Sequence, residues 1–140
     1  MSNELVRFSV AMPEDLLIAF DELVARRGIA RNRSEVIRDL VRDALIEEEW
    51  NNPYHEVVGT LTMVYNHHEG EVGQKLDDLQ HQYYQQIIST MHVHLDAHNC
   101  LEVIALRGSS GDVRAIADAL LGMKGVKHGQ LSTTTTGQWV

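Results

Sequence analysis

The first fifty residues contain one segment of strand character and no second one to pair with it. Val6, Phe8, Val10 and Met12 alternate with Arg7, Ser9 and Ala11, the two-residue period of a half-buried strand. Pro13 then suits the opening of a helix, with Glu14 and Asp15 near its positive end. Leu16, Phe20, Leu23 and Val24 form the apolar stripe of that helix, and Gly28 is placed to stop it. Ser34 is placed to cap a second helix that carries Val36, Ile37, Leu40, Val41, Ala44 and Leu45. A lone strand cannot form a sheet, and about 45 residues is near the lower limit for an independent core. A second copy of the chain meets both needs, because two strands can pair antiparallel about a two-fold axis over four helices. Arg7, Ser9 and Ala11 then project from a two-stranded ribbon, a shape that the DNA major groove admits.

The charge pattern points the same way. The whole chain carries 12 Lys and Arg against 20 Asp and Glu, a formal charge of −8. All seven basic residues of the first fifty are nevertheless arginine, and six of them fall between 26 and 42. Only Glu35 and Asp39 oppose those six, leaving a local balance of +4. Arginine donates hydrogen bonds in pairs to phosphates and base edges, and a local patch steers binding more than the net total does. The plainer alternative is a solvated helix face. No apolar run is long enough to cross a membrane, no signal-peptide pattern opens the chain, and Cys100 is the one cysteine. These features lead us to expect a cytoplasmic protein whose thiol is either inert or a ligand.

Trp50-Asn51-Asn52-Pro53-Tyr54 breaks the helical pattern. We therefore expect a first domain over residues 1–50, a linker over 51–54 and a second domain over 55–140. The second domain reads β-α-β-β-α-β. Strands are expected at Val57 to Tyr65, Met91 to Asp96, Leu101 to Arg107 and about Val126 to Thr135. Val72, Leu76, Leu79, Tyr83 and Ile87 mark one helix, and Val113, Ile116, Ala117, Leu120 and Leu121 mark the other. The expected fold class is α+β, with the second half a ferredoxin-like or ACT-type sandwich.

Six of the eight histidines fall between 67 and 98. In His92-Val93-His94 the two imidazoles share one strand face, with Met91, Val93 and Leu95 expected to enter the core on the other. Cys100 follows a tight turn at Ala97-His98-Asn99, so its sulfur can return to the histidine face. Two imidazoles and a thiolate suit nickel, copper or zinc and suit calcium or magnesium poorly. His81 lies off the apolar stripe of its helix and is a fourth candidate, in its own chain or in another. Each of these histidines alone could equally be a solvated surface residue; His55, His67, His68, His98 and His128 could host weaker metal sites, though most of them are expected at the surface. No nucleophile–base pair, phosphate loop or H-E-x-x-H pattern points to catalysis.

The first segment, with Asn32-Arg33-Ser34-Glu35 opening its second helix, resembles a ribbon-helix-helix repressor domain. A helix N-terminus at Asn32, Arg33 and Ser34 would bind a DNA phosphate. Together with an ACT-like end and His81, His92, His94 and Cys100, the chain resembles the NikR family of nickel-responsive repressors over roughly residues 5 to 131. Cys100-Leu101-Glu102 and Gly125-Val126-Lys127-His128-Gly129 carry part of the likeness. The resemblance implies a homotetramer, with two DNA-binding dimers flanking four C-terminal domains. It implies one Ni²⁺ per subunit, bound in a plane by His92, His94 and Cys100 of one chain and His81 of another. It also implies repression through a palindromic operator, usually near nickel-uptake genes. On this likeness Arg7, Ser9 and Ala11 are the base-reading positions; Ala11 departs from the polar residue often found there, so readout would rest on Arg7 and Ser9. Glu35 and Asp39 match acidic positions that can bind a hard cation such as K⁺ between domains. Glu102, two residues beyond Cys100 on one face, is a candidate to support a ligand. The rival readings are a ribbon-helix-helix regulator whose ACT-like half senses a small metabolite or another transition metal (zinc or copper), and a structural or catalytic zinc protein.

Overall fold

Four helices and four strands run in the order α1 (Glu14–Arg26), α2 (Arg33–Asn51), β1 (Glu56–Asn66), α3 (Val72–Gln82), β2 (Ile87–His94), β3 (Asn99–Ser109), α4 (Ser110–Leu121) and β4 (Val126–Thr134). This is a computed structural model, and it describes residues 4–28, 31–69, 71–138 and 140. Contacts divide the chain into two units, Met1–Val41 and Arg42–Val140. The division falls within α2, not at the expected linker of residues 51–54.

In the first unit, α1 follows Pro13, whose carbonyl accepts the Leu17 N–H at 3.1 Å. Glu14 and Asp15 occupy its first turn and Arg26 its last, matching the helix dipole at both ends. Gly28, with φ +113°, supplies the left-handed residue beyond that end. The cap of α2 is Asn32, not Ser34: the Asn32 side-chain oxygen accepts the Glu35 N–H at 3.0 Å, and Ser34 stands exposed inside the first turn. Residues 4–13 belong to no strand in the single chain. The strand expected over Val6–Met12 needs a partner to exist as one, and the described residues of the unit offer none. Its apolar side chains stay uncovered, with Val6 at 83% and Phe8 at 74% exposure, and α1 buries no residue at all. Such a surface is incomplete by itself.

The second unit is a four-stranded antiparallel sheet in the order β2-β3-β1-β4. Alternate residues of β1 (Val57, Leu61, Met63, Tyr65) and β3 (Cys100, Ile104, Leu106) are buried on one face. Val72 and Leu76 of α3 and Val113, Ile116, Ala117 and Leu120 of α4 complete the same core. The opposite face carries Val58, Val64, Val93, Leu101 and Val103, all only partly covered. Trp50 is buried in this core, and its indole N–H donates to the Thr134 carbonyl at 2.8 Å. Residues 52–55 are also tied down, by bonds from Ser110 Oγ to the Asn52 carbonyl (2.7 Å), from Ser110 N to that of His55 (2.9 Å) and from Gly111 N to that of Pro53 (3.0 Å). Gly125, at φ +100°, immediately precedes β4, where a Cβ would stand 2.7 Å from Val72 and 2.9 Å from the Glu69 carbonyl oxygen.

Two expectations are corrected here. Helix α3 ends at Gln82 and the chain turns through residues 83–86, so Ile87 opens β2 and does not extend the helix stripe. Two adjacent β-branched residues, Ile87 and Ile88, favour the strand. The faces of β2 are also exchanged. His92 pairs with Glu102 and His94 with Cys100, so both histidines share the helix-covered face. Met91 and Leu95 point to the open face and are 57% and 52% exposed.

Candidate metal centre

The edge strand β2 brings its two histidines beside the start of β3. Directly paired residues on antiparallel strands lie on one face, which puts His92, His94, Cys100 and Glu102 in a square of neighbours. Donor atoms of His92, His94 and Cys100 all lie within 4.8 Å of one another. No other group of three or more His, Cys, Asp or Glu among the described residues is gathered this closely. Cys100 Sγ stands 3.6 Å from His94 Nδ1. Metal–nitrogen bonds of about 2.0–2.1 Å and metal–sulfur bonds of about 2.3 Å would separate two such donors by about 3.1 Å at a right angle and about 4.3 Å in line. The spacing therefore fits a shared ion.

Neighbouring groups prepare these donors. His92 Nδ1 lies 2.6 Å from Glu102 Oε2 and 3.2 Å from the Tyr65 hydroxyl. A proton on Nδ1 donates to the carboxylate and leaves the Nε2 lone pair for a metal. Glu102 is 5% exposed, so this buried carboxylate holds the ring in place. Burial, with the charges of Glu102, Cys100 and Asp77 behind it, pushes the Tyr65 hydroxyl up to about 12 and keeps it protonated. Burial also pushes the Cys100 thiol up, and the Glu102 and Asp96 carboxylates act the same way. A metal must displace that proton to gain the thiolate. The β2–β3 turn is itself fixed: Asp96 accepts the His98 and Asn99 N–H groups at 2.8 Å each.

His81 is not part of this cluster. It is exposed on α3 and lines an open groove of ≈ 290 Å³ with Asp77, Gln80, Tyr84, Ile88 and Ser89. His67 is exposed, as expected, and its Nδ1 nevertheless lies 3.4 Å from Cys100 Sγ. Local desolvation lowers the His67 pKa, with His68, His94, His98 and His92 adding to the effect. The sequence did hold a signal for it: His67 continues the two-residue period of Met63 and Tyr65 on β1, the strand that pairs Tyr65 with Cys100.

The candidate DNA-contacting residues divide. Arg7, Ser9 and Ala11 are exposed on the unpaired segment, and Ser34 is exposed at the start of α2. Asn32 is committed as a cap. Arg33 donates both arms of its fork to Asp21, at 2.8 and 2.7 Å, so it ties α1 to α2. Glu35 and Asp39 stand half-buried one turn apart, and Asp39 pairs with Arg31. No helix among the described residues is long and apolar enough to cross a membrane.

Comparison with known proteins agrees with both halves. Residues 6–48 match the family model of the ribbon-helix-helix proteins of the copG family, and residues 58–134 match that of the NikR C-terminal nickel-binding domain. A relative from Geobacter sp. (strain M21) is 56% identical over 136 residues, 97% of each chain. One from Trichlorobacter lovleyi is 53% identical over 95% of each chain. One from Pyrococcus horikoshii is 53% identical over 96% of this chain and 97% of its own. All three bear, provisionally, the name of nickel-responsive regulator. The chain belongs to the NikR family of nickel-responsive transcription regulators, and its C-terminal unit is a nickel-binding domain, not a catalytic one.

Proposed function

We propose that the protein is a cytoplasmic repressor that binds a palindromic operator when loaded with Ni²⁺ and controls nickel uptake. The observation that carries this reading is the meeting of His92, His94 and Cys100 in a chain whose N-terminal segment lacks a strand partner. Pairing of two such segments would give the ribbon that enters the major groove, with Arg7 and Ser9 facing base edges and the uncovered apolar side chains of residues 5–10 buried beneath.

His92 through Nε2, His94 and the Cys100 thiolate would hold one nickel ion per subunit. His81 from another copy would supply the fourth donor, which suits its exposed place away from its own chain's cluster. Four such donors would suit nickel in a plane better than zinc, which prefers a tetrahedron. Sharing a site between chains links loading to assembly, and a homotetramer of two DNA-binding dimers provides both contacts. Affinity for operator then rises only as far as the loaded and unloaded states differ. A potassium site at Glu35 and Asp39 is the least supported part of the reading, since Arg31 already pairs with Asp39.

The test is a titration of the full-length protein with Ni²⁺, followed by near-ultraviolet absorbance and by operator binding at fixed salt. Thiolate-to-nickel bands and tighter operator binding should appear together, and both should vanish in Cys100→Ala. Operator binding that ignores nickel would overturn the proposal.

A further inference from the structure

We propose that Asp21 limits the DNA affinity of the first unit by occupying the Arg33 fork, so that the Asp21 carboxylate and a DNA phosphate compete for the same two N–H groups. The inference rests on the DNA-binding reading above and adds to it a residue that holds the binding in check. Arg33 Nε donates to Asp21 Oδ1 at 2.8 Å, and Arg33 Nη2 donates to Asp21 Oδ2 at 2.7 Å. These parallel bonds are the geometry in which a guanidinium also grips a phosphate. The side chains are 58% exposed for Arg33 and 44% for Asp21, so an anion from solution can reach the fork.

The place of Arg33 calls for an anion. It is the first residue of α2, where a cation faces the positive end of the helix dipole. In the single chain Asp21, on α1, supplies that anion. The hydrogen bond from Arg33 lowers the Asp21 pKa, and the Arg33 charge adds to the effect. Asp21 lies outside the arginine-rich stretch of residues 26–42, so the local balance of +4 does not count it. Arg31 in that stretch is likewise paired, with Asp39. An exposed ion pair is weak, and DNA can break it because each neutralised phosphate releases a counterion. Breaking it has two costs. The free fork loses its carboxylate, and Asp21 is left without its arginine beside a polyanion. Phosphates are alike at every sequence, so Asp21 weakens binding to all duplexes and leaves base readout by Arg7 and Ser9 untouched.

The test uses the full-length protein with Ni²⁺ present and a mixed-sequence DNA duplex as probe. Binding is followed by fluorescence anisotropy over a range of salt, with thermal unfolding as a folding control. Asp21→Asn and Asp21→Ser should each tighten binding, because the fork then delivers one full positive charge. The fall of log affinity with log salt should steepen by about 0.9 in both. In an Arg33→Ala background the gain from Asp21→Asn should be smaller by about two- to fivefold, the range of an exposed ion pair. Equal gains in the two backgrounds would overturn the proposal, since Asp21 would then act only as a charge near DNA. Weaker binding by both Asp21 variants would overturn it too, by making the pair a tie that DNA binding needs. A parent protein that binds no duplex would overturn the DNA-binding reading itself, and this proposal with it, a result distinct from the other two.

Discussion

Glu102→Gln should weaken nickel binding about tenfold while leaving the fold intact. The substitution keeps the size of the side chain and one acceptor oxygen but removes the charge that faces His92 Nδ1 at 2.6 Å. Hydrogen bonds to charged groups contribute about 1.5–3 kcal/mol and neutral ones about 0.5–1.5. The difference, about 1–1.5 kcal/mol, corresponds to about 5- to 13-fold at 1.36 kcal/mol per decade. That range meets the lower part of the 10- to 100-fold losses usual when a group supporting a metal-bound histidine is removed. The carboxylate is 5% exposed, so water cannot readily replace what is lost. Tyr65→Phe, which removes a longer 3.2 Å contact to the same nitrogen, should cost less. The assay is competition with a chelator of known nickel affinity, read by the thiolate band at constant pH, with the apo unfolding midpoint as control. If Glu102→Gln binds nickel within about twofold of the parent while Cys100→Ala binds none, the carboxylate does not support His92 and the reasoning fails.

Three further outcomes are expected. Arg7→Ala should cost about 1–3 kcal/mol of specific operator affinity without changing nickel binding, and an unchanged protection footprint would remove Arg7 from the readout. Phe8→Lys places a charge on the apolar side of the unpaired segment, so sedimentation should show one level of assembly lost and DNA binding with it; a variant that assembles as the parent does would refute the ribbon. Asp96, whose carboxyl is held down from 3.8 to about 2 by the Asn99 side chain and the His98 and Asn99 N–H groups, stabilises the fold only while ionised. Its contribution is complete above its unfolded value and disappears as pH falls from there toward 2, so Asp96→Asn should flatten the acid limb of the unfolding profile, and an unaltered limb would count against the turn's role.

The order of elements and three of the gathered side chains were legible from spacing alone. His92-Val93-His94 with Cys100 six residues on needs only the two-residue period of a strand and one tight turn. What that period cannot say is which face of the sheet is inside. Met91, Val93 and Leu95 are apolar, and in a sheet with one dry face they would belong in the core. Here both faces carry apolar residues, helices cover only one, and the histidines share the covered face because their partners on β3 do. Pairing across strands decided the matter, and pairing is not a property of any one segment. His67 escaped for the same reason, since its approach to Cys100 depends on β1 lying beside β3. The strand expected over Val6–Met12 is the converse case: its pattern wants a partner, and the described residues of the single chain supply none. Asn32 displaced Ser34 as the cap because α2 begins at Arg33, one residue before the serine.

Occupancy and response should therefore be separable in this protein. A metal held only by donors of one chain binds equally well whether or not a neighbour is docked, and a ligand with equal affinity for two states shifts neither. Copper stands above nickel in intrinsic affinity for such donors, so tight binding alone cannot identify the signal. The discriminating quantity is the coupling free energy, commonly about 1–3 kcal/mol or 5- to 150-fold in affinity. On the proposed reading it would arise at the fourth position, because His92, His94 and Cys100 are already gathered in the single chain whereas His81 is not. A fourth donor drawn from another copy would couple the ion to assembly, and one drawn from the same chain would not. By linkage the operator must tighten nickel binding by the same factor that nickel tightens operator binding, and it should leave the affinity of a same-chain metal unchanged.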